Sequence, residues 1–374
     1  MTLTLSAEAL SPFFEPRHQA LAASLAARLD APGVIDGDTP RAVAAQLGAM
    51  GLYAHLVPED RGAVDVRALV LIREALGQRH TMADSIFAVQ GLGAYPVLRA
   101  GNDAQRASLA KVVSGELIGA FALTEPDAGS DVASLKTTAT RTPQGWVLEG
   151  EKWLISNVPM ADRHVVFANA DPSQGKRGIS AFLVEAGAPG LHRAPLAMAG
   201  HALGRLVMTQ CLVPHDALLG RVGEGMRLAL ETLDTFRVSV GAAACGMASR
   251  GLALSIERVK TRRQFGAPLA EQQMVRATLA EMATALDAAR LLVVRAAWAR
   301  DLGRPDASQA VARAKLFATE TAQEILDKAV QLHGGAGVLD DAEVFKLWRE
   351  VRPLRIYEGT SEIQKLIIAK GLLG

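Results

Sequence analysis

At 374 residues the chain is longer than one hydrophobic core usually serves, so two or three packed domains are expected. Apolar residues make up 49% and charged residues 21%, a balance that excludes general disorder. Forty basic residues against 39 acidic leave a formal charge of +1, which gives no field to attract nucleic acid or an anionic membrane; any anionic ligand must be held by local basic groups.

Residues 1–117 read as an N-terminal helical domain. ALAASLAARLD, PRAVAAQLGAM and VRALVLIREALGQRH place apolar residues at i, i+3 and i+4, broken by turn-like APGVIDGDTP, VPEDRGA and RAGND. The opening residues show no basic segment followed by an apolar one, so no secretory leader is expected. From 118 to 219 the pattern shortens to β-branched or alternating runs, GAFALTE, GWVLEGEKWLISN, HVVFANA, GISAFLVEA and LVMTQCLVP, between turn clusters RTPQG, DPSQGKRG and EAGAPG. This spacing predicts a middle β-barrel or sandwich domain. Residues 220–374 return to long helical stretches at 224–260, 271–302, 306–334 and 340–352 before a terminal helix, the pattern of a C-terminal four-helix bundle. The most apolar stretch, VSVGAAACGMASRGLALSI, carries Arg250 and reads as a buried helix rather than a membrane span. Cys211 and Cys245 have no CxxC partner and make neither a disulfide framework nor a metal site. The fold class is therefore mixed α and β, in a chain expected in the cytoplasm without nucleic acid, membrane or metal.

Three segments carry chemistry. In FALTEPDAGSD, a strand ending in Thr124 runs into a Pro-Asp-Ala-Gly-Ser-Asp turn that presents hydroxyls (Thr124, Ser130) and backbone N–H groups to a ligand. TRRQFG on its own reads as an exposed basic helix end; taken with the downstream GGAG, whose Gly334 and Gly335 allow close backbone approach, its guanidinium suits a pair of phosphates. In RIYEGTSEIQ, Glu358 stands before Gly359 and just outside a helix that Thr360 or Ser361 caps. A carboxylate on such a turn can be aimed and partly desolvated, as a general base requires.

TEPDAGSD, EKWLISN, TRRQFGAPLAEQQ, QLHGGAG and IYEGTSEIQ, in this order along the whole chain, resemble the acyl-CoA dehydrogenase family. The resemblance implies a homotetramer, a dimer of dimers, with FAD clamped between the β domain and the C-terminal bundle and reached by a neighbouring subunit. It places Phe121, Leu123, Thr124, Gly129, Ser130, Ile155 and Ser156 beside the flavin. Arg262, Gln264 and Phe265 would meet the pyrophosphate and adenosine, Gln331, Gly334 and Gly335 the adenine-side phosphates, and Thr360 and Glu362 also fall at cofactor positions. Substrate positions are Ser130, Asp234, Arg237, Tyr357, Gly359 and Lys370. Glu358 matches the catalytic base, which takes the α-proton of an acyl thioester while the β-hydrogen leaves as hydride to flavin N5. Some relatives carry the base at the position of Phe236, which cannot accept a proton. The implied function is FAD-dependent dehydrogenation of an acyl-CoA to the 2-enoyl-CoA, with an electron-transferring flavoprotein or another acceptor taking the electrons. Two alternatives stay open: an acyl or aminoacyl group on a carrier protein, and elimination of the desulfinase type on the same fold.

The chain also departs from the family pattern. The aromatic expected two residues before Ser156 is Leu154, with Trp153 displaced by one, so alternation predicts Trp153 on the wrong face for the flavin. His201 and Arg205 lie in an unusual stretch and are either surface turn residues or selectors of substrate. Asp84 stands where glutaryl-type relatives carry a carboxylate-binding arginine, which disfavours a dicarboxylyl substrate, and Gly91 and Gly93 are expected to leave space.

Overall fold

The computed structural model describes residues 10–30, 33–59, 62–198 and 200–374. Residues 1–9, counted above in the N-terminal helical domain, and residues 31–32 and 60–61 of the first two turn clusters lie outside the described residues. In chain order come helices α1 (Pro16–Leu29), α2 (Pro40–Ala49), α3 (Val66–Arg79), α4 (Thr81–Ala100), α5 (Asp103–Ala107) and α6 (Leu109–Val113). The sheet strands follow: β1 (Gly119–Ala122), β2 (Thr138–Thr142), β3 (Gly145–Ser156), β4 (Arg163–Asn169), β5 (Ile179–Glu185), β6 (Leu191–Leu196), β7 (Leu203–Val213) and β8 (Leu218–Leu219). Then come α7 (Gly225–Thr261), the small strands β9 (Arg263–Gln264) and β10 (Ala267–Pro268), α8 (Gln273–Asp301), α9 (Ala307–His333), α10 (Glu343–Val351) and α11 (Ser361–Leu373). The helix–sheet–helix order is the one the periodicities predict.

The chain divides into two compact units. One comprises Met1–Val34, Asp65–Asp84 and Arg237–Gly374. Its core draws Val66 and Val70 from α3, the alanine-rich stretch Val238–Ala248 of α7, and the inward faces of α8, α9 and α10. Small residues let these helices approach closely: a Cβ on Gly246 would lie 2.2 Å from the carbonyl oxygen of Glu74, and one on Gly77 would lie 2.7 Å from that of Ala243. Asp301, at the end of α8, accepts from the N–H groups of Val66 (2.8 Å) and Arg67 (3.1 Å), so one helix caps the start of another. Most of the apolar window in α7 is buried, as expected of a core helix.

The other unit comprises Ile35–Val64 and Ser85–Phe236 and holds the sheet. Strand order is β6-β7-β3-β2-β4-β5-β8, with β1 added parallel on β4. The end strands β6 and β8 do not pair with each other among the described residues, so the barrel-or-sandwich expectation resolves into one eight-stranded sheet without a closing ladder. Its buried face gathers Trp146, Leu148, Ile155, Phe182, Leu206 and Met208 among others. β2 (TATRT) and β6 (LHRAPL) have little apolar alternation of their own and form because β3 and β7 supply hydrogen-bonding edges.

Candidate active site

In the sheet unit, the end of β1 is fixed by a buried ion pair. Lys152 on β3 is fully buried and sets its ammonium 2.7 Å from Glu125 Oε1 and 3.1 Å from the Leu123 carbonyl. The same carboxylate accepts from the N–H of Lys136 (2.6 Å), the N–H of Thr137 (3.0 Å) and the Thr137 hydroxyl (2.5 Å). Burial works against the Glu125 charge, but Lys152 and these donors hold its carboxyl below the ordinary value. Burial in turn pushes the Lys152 ammonium down to about 8. Trp153 donates its N–H to the Thr124 carbonyl at 2.9 Å, tying β3 to the chain just beyond β1.

This frame brings Phe121, Leu123, Thr124, Ile155 and Ser156 to neighbouring positions on β1, β3 and the start of the turn, with Gly129 and Ser130 exposed at its far side. Phe121 packs edge-on against Phe167, with ring centroids 4.9 Å apart. Leu123 and Ile155 are buried, so their side chains serve the core, and only their backbones remain to meet a ligand. The hydroxyls of Thr124, Ser130 and Ser156 are engaged by no other described residue and remain available.

The one-step alternation rule does not apply at Trp153. Lys152 pairs with Leu206 and Ile155 with Gly204, so Trp153 and Leu154 together oppose Arg205 in a β-bulge, and Leu154 adopts φ 57°. The extra residue breaks the alternation on which the one-step rule depends: Leu154 is 52% exposed and Trp153 half-buried. Arg205 pairs loosely with Glu151 at 3.5 Å, while His201 Nδ1 lies 3.1 Å from the Ser85 hydroxyl. Nor do the two glycines leave space: a Cβ on Gly91 would lie 2.4 Å from the Phe236 ring and 3.0 Å from Leu56, and one on Gly93 would lie 3.1 Å from the β1 backbone.

In the helical unit, Arg262 follows the end of α7 and introduces the β9–β10 hairpin. Gln264 pairs with Ala267 around a two-residue loop, Phe265 (φ 52°) and Gly266 (φ 82°), both left-handed as a type I′ turn demands. Phe265 is 96% exposed at the tip, a bulky residue in a conformation that suits glycine or asparagine. Gln331 and the Gly334–Gly335 turn stand exposed at the end of α9; Gly334 has φ 63°, and nothing lies within 4 Å of a Cβ built on either glycine. Arg258 on α7 reaches the His333 carbonyl at 3.5 Å, which joins the approach to the hairpin to the approach to the glycine turn.

Glu358 lies on the connection between α10 and α11. Thr360 caps α11, its hydroxyl accepting from the Ile363 N–H at 3.3 Å, and Ser361 donates to Glu320. Glu358 itself takes φ 52° and Gly359 φ 90°, so two successive left-handed residues reverse the chain at the helix mouth. Three bonds hold the reversal: Arg237 Nε to the Glu358 carbonyl (3.0 Å), and Lys315 Nζ (2.8 Å) and Gln364 Nε2 (2.9 Å) to the Gly359 carbonyl. Glu358 Oε2 is shut from solvent with no hydrogen-bond partner among the described residues, and the Glu358 N–H has no acceptor there. Burial pushes its carboxyl up, opposed by Arg73, Arg237 and Lys315.

Arg237, Tyr357, Glu358, Gly359 and Thr360 are thus brought together. Asp234 is half-buried one helical turn before Arg237, whereas Glu362 and Lys370 are exposed on α11. Residue patterns gave no role to Arg73, Lys315 or Ser239. Arg73 is fully buried on α3, donating from Nε and Nη2 to the two oxygens of Asp84 (2.8 Å each) and from Nη1 to Ser239 (3.1 Å). Asp84 is therefore the buried counter-ion of an arginine from the preceding helix. The available signal was a charge at a core position, four residues after Leu69 and three before Leu76.

Three family models match the chain in succession: acyl-CoA dehydrogenase N-terminal domain over residues 19–116, middle domain over 120–211 and C-terminal domain over 223–373. The chain belongs to the acyl-CoA dehydrogenase family. As a member it is an oxidoreductase acting on a CH–CH bond. The mitochondrial short-chain specific acyl-CoA dehydrogenase of Homo sapiens is 38% identical over 342 residues, 89% of this chain and 83% of that protein. The butyryl-CoA dehydrogenase of Megasphaera elsdenii aligns with a TM-score of 0.88 at 31% identity, over 96% of this chain and 99% of that one. A glutaryl-CoA dehydrogenase from Mycobacterium smegmatis, solved in complex with FADH2, aligns with a TM-score of 0.88 at 26% identity, over 97% and 96% of the two chains.

Proposed function

We propose that this protein is an FAD-dependent dehydrogenase of acyl-CoA thioesters in which Glu358 removes the α-proton. The observation that carries the reading is the state of Glu358: one residue offers a water-shielded, unbonded carboxylate oxygen and an unused backbone N–H, on a turn pinned from three sides. An α-proton beside a thioester is far less acidic than an ordinary carboxylic acid, so base and substrate must be brought closer in proton affinity. Burial strengthens the base, and the Glu358 N–H, donated to the thioester oxygen, stabilises the charge that develops there. Arg237 holds the carbonyl of the same residue, on the far side of its Cα, so loss of its bond would loosen the turn that aims both the N–H and the carboxylate.

The residues present fit FAD. Thr124, Ser130 and Ser156 offer uncommitted hydroxyls, Arg262 a permanent charge, and Gly334 and Gly335 an open backbone that phosphate oxygens can approach. When bound, FAD would supply the acceptor for the β-hydrogen as hydride; Glu358 keeps the α-proton, and the electron pair of the α C–H bond goes into the new double bond. The acyl group is read as a short one, because Phe236 and Leu56 occupy the space that Gly91 would otherwise open. Electrons pass on to an electron-transferring flavoprotein or another acceptor, and the working assembly is a cytoplasmic homotetramer.

The test is anaerobic addition of short, long, branched and aromatic acyl-CoAs to the FAD-loaded protein, with the flavin's visible band as readout. Short acyl-CoAs should bleach it. Glu358→Gln should abolish bleaching with FAD still bound. Failure of every acyl-CoA to bleach the wild type, or full bleaching by the variant, would overturn the reading.

A further inference from the structure

Lys315 is a buried charge that folding alone does not call for. It lies midway along α9, fully buried, with Val311, Ala312, Ala318 and Thr319 buried on the turns before and after it. Among the described residues no carboxylate comes within ion-pair distance of it, and its one side-chain hydrogen bond runs from Nζ to the Gly359 carbonyl at 2.8 Å. Such an ammonium gives up its hydration for a single neutral acceptor, and burial pushes it down to about 8. Gln364 on α11, equally buried, donates from Nε2 to the same oxygen at 2.9 Å and leaves its own Oε1 without a partner among the described residues. Two side chains that are costly to bury, from two helices, are thus spent on one carbonyl.

Peptide planarity determines what that carbonyl controls. The Gly359 C=O belongs to the rigid unit that joins Gly359 to Thr360, the cap of α11, whereas Arg237 holds the preceding unit through the Glu358 carbonyl. Two successive planes held in this way fix both dihedral angles of the glycine between them. Gly359, at φ 90° and without a Cβ, would otherwise rotate readily. Glu358 at φ 52° occupies a conformation that a glutamate keeps only when its surroundings impose it. We propose that Lys315 is a positioning residue for proton abstraction: with Gln364 it locks the Gly359 carbonyl, and so keeps Glu358 in the strained conformation that presents its carboxylate and N–H together. The inference rests on Glu358 being the base. The ammonium then serves aim at a cost in stability, and its removal should separate the two.

Lys315→Met keeps the length of the side chain without its charge or its donor. In the FAD-loaded protein its melting temperature should equal or exceed that of the wild type, because Gln364 still satisfies the carbonyl. The limiting rate of flavin bleaching at saturating acyl-CoA should fall about 10- to 100-fold, with the half-saturating concentration moving by less than about threefold. Amide hydrogen exchange across residues 355–364 should quicken in the same variant. Gln364→Met should act in the same direction, and the double variant should lose more than the product of the single losses, since neither donor then remains. An unchanged limiting rate, a loss carried by the half-saturating concentration, or a rate that falls only together with melting temperature and bound FAD overturns the inference. Bleaching that survives in Glu358→Gln overturns the base assignment instead, and exchange in Lys315→Met then decides by itself whether Lys315 holds the turn.

Discussion

Replacing Lys152 by Met removes the ammonium from a pair that is closed to water. Glu125 is then left with a buried charge but keeps three donors, the N–H groups of Lys136 and Thr137 and the Thr137 hydroxyl. Stranding one member of a buried pair costs about 3–5 kcal/mol, and the surviving donors place this site near the lower end, about 3 kcal/mol. Adding Glu125→Gln removes the stranded charge and should recover about half of that loss, a coupling visible in a double-mutant cycle. Urea unfolding at neutral pH, followed by circular dichroism, measures both values. Acid unfolding supplies an independent sign. The Glu125 carboxyl is lowered in the folded state, so its stabilisation is complete above its unfolded value of about 4.3 and is lost as pH falls through the lower folded value. Without Lys152 the folded value rises, and the acid-unfolding midpoint should move to higher pH. A Lys152→Met protein within about 0.5 kcal/mol of the wild type would refute this account, as would further loss of stability on adding Glu125→Gln.

Gly359→Ala should be damaging for reasons of backbone: φ 90° disfavours a side chain, and the new Cβ would lie 2.5 Å from Gln364 Nε2, displacing the amide that braces the turn. The expected loss is about 2–3 kcal/mol of stability, with the bleaching rate down by about 100-fold as Glu358 is mis-aimed, measured by urea unfolding and stopped flow. Wild-type bleaching in that variant would mean the turn tolerates distortion. Arg262→Gln should weaken FAD binding by about 10-fold or more through loss of a charge-assisted contact, read from flavin fluorescence on dilution. Unchanged affinity would remove Arg262 from the phosphate site.

Much of the fold was legible because its signals are local. The long helices after residue 220 declare themselves by a 3.6-residue period maintained over many turns, and α7 to α11 form where that period runs. Turn chemistry placed Thr360 or Ser361 at the cap and Glu358 outside it, since a hydroxyl before an apolar-periodic run has few other uses, and the fold selects Thr360. β2 and β6 were missed because a strand with weak alternation is stabilised by its neighbours and carries little signal of its own. The bulge at Trp153 was hidden for a related reason: it is a property of two paired strands, and β3 alone does not announce where β7 will lack a residue.

The sequence by itself determined the order of helix and strand and the turn on which Glu358 sits, because propensity, period and glycine placement act within a few residues. Only the tertiary structure decided what surrounds that glutamate. Arg237 and Lys315 lie far from it along the chain, and Leu56 and Phe236 close a space that Gly91 seemed to open. Such juxtapositions depend on how distant helices pack, and the charge state of Glu358 is set by that packing.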